Sequence, residues 1–260
     1  YQEFFANDTL VVMRSTLFPG TMEHLYNRTK SLPVRIKLAF CPERVAQGFA
    51  LEEIDSLPQI VSAFDEDAFE DAYKLFAALA PEIIRLAPIE AELTKLMANS
   101  WRYLEFAIAN QFYMIAESRG VDFSKIYQAI RYRYPRAGGY KSPGFAAGPC
   151  LFKDTMQLAS YFDHQFYLGH SAMLVNEGLA GFIAEKTEKA VGGSLWGKKV
   201  GLLGMAFKAN NDDIRESLSF KLKKSLEFKG AEVYCHDPFI ESKLSLDETI
   251  AGSDVVVIGT

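Results

Sequence analysis

Apolar and polar positions along the chain follow two periods, and the switches between them divide it into three stretches. Thr9 to Arg14 is a short apolar and β-branched run that predicts a strand. Ser15-Thr16-Leu17-Phe18-Pro19-Gly20-Thr21 ends it, with Thr21 placed to cap a helix over Met22 to Thr29. A second strand is predicted over Arg35 to Phe40, broken by Cys41-Pro42-Glu43, and strand, helix, strand is the crossover unit of a parallel sheet. A helix over Glu66 to Leu79 and a brief apolar strand over Ile83 to Leu86 complete this stretch.

From Ile89 the period lengthens. Glu90 to Arg119 contains neither Pro nor Gly and repeats apolar residues every three or four positions, which predicts one continuous helix, followed by another over Phe123 to Arg133. Tyr134 to Pro149 packs seven Gly and Pro into sixteen residues, a loop that needs special backbone angles. Helical patterning returns over Leu151 to Thr187, and Gly192-Gly193-Ser194 reads as a hinge. Strands over 198–204, 231–235 and 254–258, with a helix over 217–228, then repeat the β-α-β order. The expected layout is α/β over 1–89, helical with a long helix over 90–193, and α/β again over 194–260. Both outer parts read as incomplete, so the chain is expected to be truncated at both ends.

Composition narrows the function classes. The 260 residues are 49% hydrophobic and 23% charged with a net charge of −5, as in soluble globular chains. No basic stripe is present to neutralise a phosphate backbone, so nucleic acid is not the expected partner. No apolar run reaches the ~18 residues that span a bilayer, and Tyr1 to Phe5 lacks a signal-peptide layout. A cytoplasmic protein without a membrane partner is expected. Cys41, Cys150 and Cys235 are far apart, and the four histidines form no zinc-binding pattern, so neither a disulfide framework nor a metal is expected.

The strongest chemical feature is Gly144-Phe145-Ala146-Ala147-Gly148-Pro149-Cys150-Leu151-Phe152-Lys153-Asp154. A cysteine that ends a Gly-rich loop and opens a helix meets unpaired N–H groups that stabilise a thiolate, and Lys153 adds positive charge. Asp154, four residues on, shares its helical face and can activate a water. The alternative is a small buried hydrophobe. Lys95 and Asn99 share a face of the long helix, suited to an oxyanion and a sugar hydroxyl, or to a solvated surface. Glu43 follows a strand end, where open α/β sheets bind ligands. Lys208 and Arg215 lie between a strand and a helix, where they can hold phosphates.

Taken together these segments resemble the nucleotide-sugar 6-dehydrogenases that act on UDP-glucose or UDP-N-acetylmannosamine, over essentially the whole chain. Ser15 to Thr21 looks like the end of that family's NAD-binding domain, and Cys41-Pro42-Glu43-Arg44-Val45 like its acidic motif. Glu92 to Ser100 is similar to its central-helix motif, Gly148 to Asp154 to its catalytic cysteine motif, and Gly204 to Ser217 to the first turn of its UDP-binding domain. The resemblance implies a Rossmann-like NAD-binding domain end, a central helical dimerisation domain, and the start of a second, UDP-sugar-binding Rossmann-like domain.

The resemblance also implies roles. Cys150 would be the covalent nucleophile, Lys95 and Asn99 stabilisers of the oxygen at the reacting carbon, Asp154 and Thr16 partners of a water, and Glu43 a group near the reacting centre. Thr16, Glu43, Lys153 and Arg215 would contact NAD. Lys95, Asn99, Tyr140, Phe145, Phe152 and Lys208 would contact the UDP-sugar. The reaction would oxidise a C6 alcohol to the uronate in two hydride transfers through a thiohemiacetal and a thioester. UDP-glucose is placed ahead of a UDP-N-acetylhexosamine, although Gln47 stands where glucose-type members often carry a second glutamate. A homodimer through the long helix is expected. The Gly-x-Gly-x-x-Gly turn is absent, so the polypeptide as given is expected to bind NAD poorly and to be inactive. The competing classes are a non-catalytic nucleotide-sugar-binding or oligomerisation module, and a thiol hydrolase, which lacks a histidine placed as its base.

Overall fold

The structure, a computed structural model, describes residues 5–146, 148–241 and 244–260. The assignments made for Tyr1 to Phe4 and for Ala147 of the cysteine loop lie outside the described residues. The chain forms two compact units, residues 1–99 with 160–164, and residues 100–159 with 165–260.

The first unit runs β1 (Thr9–Met13), α1 (Thr21–Thr29), β2 (Ile36–Phe40), α2 (Ala50–Glu53), β3 (Gln59–Ala63), α3 (Glu66–Ala77) and β4 (Ile83–Arg85), and ends in the first turns of α4 (Pro88–Ser118). Its sheet has the order β1-β2-β3-β4. β1 and β2 pair in parallel from Thr9 opposite Ile36 to Met13 opposite Phe40, as the crossover pattern requires. β3 was not legible in the hydrophobic pattern. It pairs antiparallel to β2 and parallel to β4, and it buries both faces. Ile60 packs with Met22, Leu38 and Phe40, and Val61 with Ala39, Cys41 and Phe69. A strand covered on both sides shows no alternation to read.

The cap expected from Thr21 is not made. Gly20 occupies the N-cap of α1 at φ 92 with no side-chain cap of its own, and the Thr21 hydroxyl donates instead to Phe18 O at 2.6 Å. The open amides are met by Glu92 of α4, which is 1% exposed. Its Oε2 accepts from Gly20 N at 2.7 Å and its Oε1 from Met22 N at 2.8 Å. A carboxylate there satisfies orphan donors and faces the positive end of the helix.

The second unit holds the rest of α4, then α5 (Phe123–Arg131), a 3₁₀ turn at Pro135–Ala137, α6 (Leu151–Tyr161), α7 (Tyr167–Ala190), β5 (Lys199–Leu203), α8 (Leu218–Phe228), β6 (Glu232–His236), α9 (Leu246–Ile250) and β7 (Val255–Ile258). The helical patterning over 151–187 resolves into two helices, separated where Asp163 and His164 adopt left-handed angles, φ 48 and 59. Neither residue is a Gly or Pro, so the break carries no strong punctuation in the sequence. The expected hinge at Gly192-Gly193 is a helix stop, in which Gly193 N donates to Glu188 O at 2.8 Å with φ 95 at both glycines.

β5 is the middle strand of a parallel sheet ordered β6-β5-β7. Val200, Leu202, Leu222, Leu226 and Leu195 form its core against Ala180 and Ala184 of α7. The turn after β5 is braced by Asp237, 4% exposed, which accepts from Met205 N at 2.7 Å, Ala206 N at 2.9 Å and Phe239 N at 2.9 Å. The strand ends approach closely. A Cβ on Gly204 would sit 2.7 Å from Thr260 N, and one on Gly259 would sit 2.5 Å from Ser219 Oγ. Among the described residues no helix is long and apolar enough to cross a membrane.

Candidate active site

In the second unit the site is built around the start of α6. Asp154 N donates to Cys150 O at 2.9 Å, so Cys150 stands at the N-cap of α6. The thiol is exposed, whereas Cys41 is buried and Cys235 partly buried. Burial pushes the Cys41 thiol up to about 12, only partly offset by the charge of Arg14, and burial also raises that of Cys235. The reading of Cys150 as a buried hydrophobe is therefore overturned.

The approach to Cys150 is set by two contacts with the loop that precedes α8. Gly148, at φ 96, donates to Glu216 O at 3.4 Å. A Cβ there would lie 2.7 Å from the Phe207 ring, so only glycine fits. Arg215 lies near enough to Cys150 for their charges to interact. Its guanidinium pairs with Asp213 at 2.6 Å, a bond that raises its pKa. Lys153 is exposed and its Nζ is 2.9 Å from Asp154 Oδ1, while the Asp154 side chain is fully buried. Asp154 thus shares the helix with Cys150, but its carboxylate is directed into the interior.

The remaining residues expected to touch ligand in this unit have mixed surroundings. Phe145 lines a groove of about 530 Å³ with Pro143, Ile183, Lys186 and β7. Phe152 packs edge-on to Tyr103 at 6.4 Å. Tyr140 lies between the tilted rings of Tyr127 at 5.5 Å and Phe112 at 6.1 Å, and burial raises its hydroxyl pKa. Lys208 is half-buried in the turn after β5.

In the first unit Lys95 is half-buried and Asn99 is 6% exposed, so their face of α4 is not the solvated surface offered as an alternative. Thr16 is half-buried just past β1. Glu43 accepts from the amides of Arg44 at 2.8 Å and Val45 at 3.0 Å and pairs with Arg14. Burial opposes its ionisation, but the Val45 amide and the Arg14 guanidinium outweigh it and set the carboxyl below its ordinary value. Arg14 also donates to Gln59 Oε1 at 3.1 Å. Sequence reasoning missed Arg14, and its place as the last residue of the first predicted strand, opposite an acidic strand end, was the available signal.

Beyond the carboxyl ends of β1 and β2, Glu43 N donates to Arg14 O at 3.1 Å, and the sequence holds no Gly-x-Gly-x-x-Gly turn for a dinucleotide pyrophosphate. Among the described residues no group of three or more His, Cys, Asp or Glu could hold a metal.

Three family models match in chain order. Residues 2–80 match the NAD binding domain of the UDP-glucose/GDP-mannose dehydrogenase family, residues 89–177 its central domain, and residues 201–260 its UDP binding domain. The chain is 31% identical to the UDP-N-acetyl-D-mannosamine dehydrogenase of Methanocaldococcus jannaschii over 98% of its own length and 60% of that protein. It is 29% identical to the UDP-glucose 6-dehydrogenase of Bacillus subtilis over 97% of its length and 62% of that protein. The solved UDP-D-ManNAc dehydrogenase of Pyrococcus horikoshii superposes with a TM-score of 0.92 at 29% identity, over all of this chain and 64% of that one. The chain thus spans about 60% of the length of the curated relatives it matches.

Proposed function

Because the chain belongs to the UDP-glucose/GDP-mannose dehydrogenase family, we propose that it serves the NAD-dependent oxidation of the C6 hydroxyl of a UDP-sugar to the uronate. The observation that carries this reading is the contrast among the three thiols. Of the three thiols only Cys150 is exposed, and it stands at a helix N-terminus, the setting of a nucleophile.

NAD, when bound, accepts the hydride removed from C6 in each oxidation. The chain's own groups do the rest. The Cys150 thiolate adds to the aldehyde carbon to give a thiohemiacetal. The second oxidation leaves a thioester, and attack by water releases the carboxylate and returns the thiol. Lys95 and Asn99, on one face of α4, supply a cation and an amide for the developing oxyanion. Thr16 orients the attacking water with Asp154. Glu43, already engaged by Arg14 and two amides, sets the field near the reacting carbon and does not exchange a proton. Thr16, Lys153 and Arg215 face the cofactor, and Tyr140, Phe145, Phe152 and Lys208 the nucleotide sugar. A homodimer is supported by the exposed stripe Trp101, Ile108, Phe112 and Ile115 along α4, at coiled-coil spacing.

The test is Cys150→Ser in the protein that carries this sequence. Uronate formation, followed with NADH absorbance, should fall by at least ~10³-fold. Normal turnover would refute the covalent mechanism. UDP-glucose and UDP-N-acetylmannosamine assayed side by side decide the sugar, since relatives of 31% and 29% identity name one each.

A further inference from the structure

The loop that delivers Cys150 is anchored from behind by a side chain outside every motif described above. Asn110 lies on α4 and is 0% exposed. Its Oδ1 accepts from Gly144 N at 2.8 Å, and its Nδ2 donates to Gly144 O at 3.0 Å and to Asn176 Oδ1 at 2.9 Å. Asn176, also 0% exposed, donates from Nδ2 to Tyr103 O at 3.0 Å. One amide therefore reads both peptide groups of Gly144 as a paired strand would, and a second amide fixes which end of the first points where. With both donor and acceptor ends engaged, the pair has a single orientation.

The clamp is one of three holds on the loop. Gly144 is pinned to the long helix, Ala146 packs with Tyr103, Ala107 and Leu151, and among the described residues the following backbone tie is the 3.4 Å bond from Gly148 to Glu216. Two residues after that tie comes the N-cap thiol. We propose that Asn110 is a positioning residue: by clamping Gly144 it sets the register in which the loop presents Cys150 to the open amides of α6. The inference rests on the reading of Cys150 as the nucleophile.

The test uses the thiol itself. Alkylation of Cys150 by iodoacetamide is followed across pH by peptide mass spectrometry, which separates it from Cys41 and Cys235. Asn110→Asp keeps the acceptor for Gly144 N and loses both donations. Asn176→Asp keeps the acceptor for Asn110 and loses only the bond to Tyr103. Both are isosteric buried changes and should lower the melting point. Only Asn110→Asp should slow alkylation at pH 7 by about threefold or more and move the pH profile upward, as a thiolate that has lost its helix amides requires. Asn110→Ala, which removes the clamp without placing a carboxylate beside Asn176 Oδ1, should act in the same direction if Asn110→Asp does not fold. Unchanged or faster alkylation in the clamp variants, or equal slowing in Asn176→Asp, would overturn the proposal. Because this readout needs neither NAD nor sugar oxidation, its failure is separable from normal turnover by Cys150→Ser.

Discussion

In the first unit the amides that open α1 are closed by Glu92, which arrives from α4, 70 and 72 residues beyond the groups it receives. In the second unit the amides of the turn after β5 are closed by Asp237, which stands just past the strand paired with β5. Each is a buried carboxylate accepting backbone N–H groups, a strong and charge-assisted arrangement. The difference is in what each carboxylate is attached to. Asp237 ties a turn to its own sheet, so the brace is internal to the α/β unit. Glu92 is one helical turn before Lys95 and two before Asn99, so the element that caps the first crossover helix also carries the candidate oxyanion groups. The first turn is fixed by the site helix, and the second by its own strands.

The comparison is broken most severely by Asp237→Ala, which leaves three amides without a partner and should cost about 4 kcal/mol. Urea unfolding measures the loss, and hydrogen exchange should show deprotection at Met205 and Ala206 with Gly20 and Met22 unchanged. Glu92→Gln keeps the shape and one acceptor, and should cost about 2 kcal/mol. Its exchange signature should be the reverse, confined to Gly20 and Met22. Deprotection at Met205 in that variant would mean that the two braces are not independent.

The smallest effect is expected at Glu43, a half-exposed third carboxylate that sharpens the comparison by its dependence on pH. Its folded pKa is depressed, so its contribution is present above the unfolded carboxylate value of about 4.3 and is lost as pH falls through the folded value. Glu43→Gln should therefore lower the urea midpoint at pH 7, and the gap to the parent should narrow as pH falls below the unfolded carboxylate value. A gap that widens in acid would contradict the ion pair with Arg14.

What the sequence revealed and what it hid follow from the range of the interactions. β1, β2, α3, α4, β5 and α8 were legible because periodicity and punctuation act within a few residues, although Ser217, read as the first residue of α8, is its cap, with Ser219 N donating to its hydroxyl at 3.3 Å. Cys150 was legible for the same reason, since a Gly-rich loop running into a helix is a local pattern. Asp154 was placed correctly on the helix, but its burial beside Lys153 depends on packing that spacing cannot show. Arg14 with Glu43, Asn110 with Gly144, and Asp237 with Met205 join residues 29, 34 and 32 positions apart. Such partners are chosen by the fold, and no motif of fixed length records them. The break at Asp163-His164 and the doubly buried β3 were hidden by the opposite fault: their local signals point to a continuous helix and to no strand at all.

The close approach of Gly204, Gly259 and Ser219 has a consequence for how this protein can vary. A methyl at Gly204 meets the Thr260 backbone at φ 84, an obstacle that no change of side chain relieves, whereas one at Gly259 meets the Ser219 hydroxyl. Drift across homologues, or a library built in the laboratory, should therefore hold Gly204 fixed and treat Gly259 and Ser219 as a pair that mutates jointly.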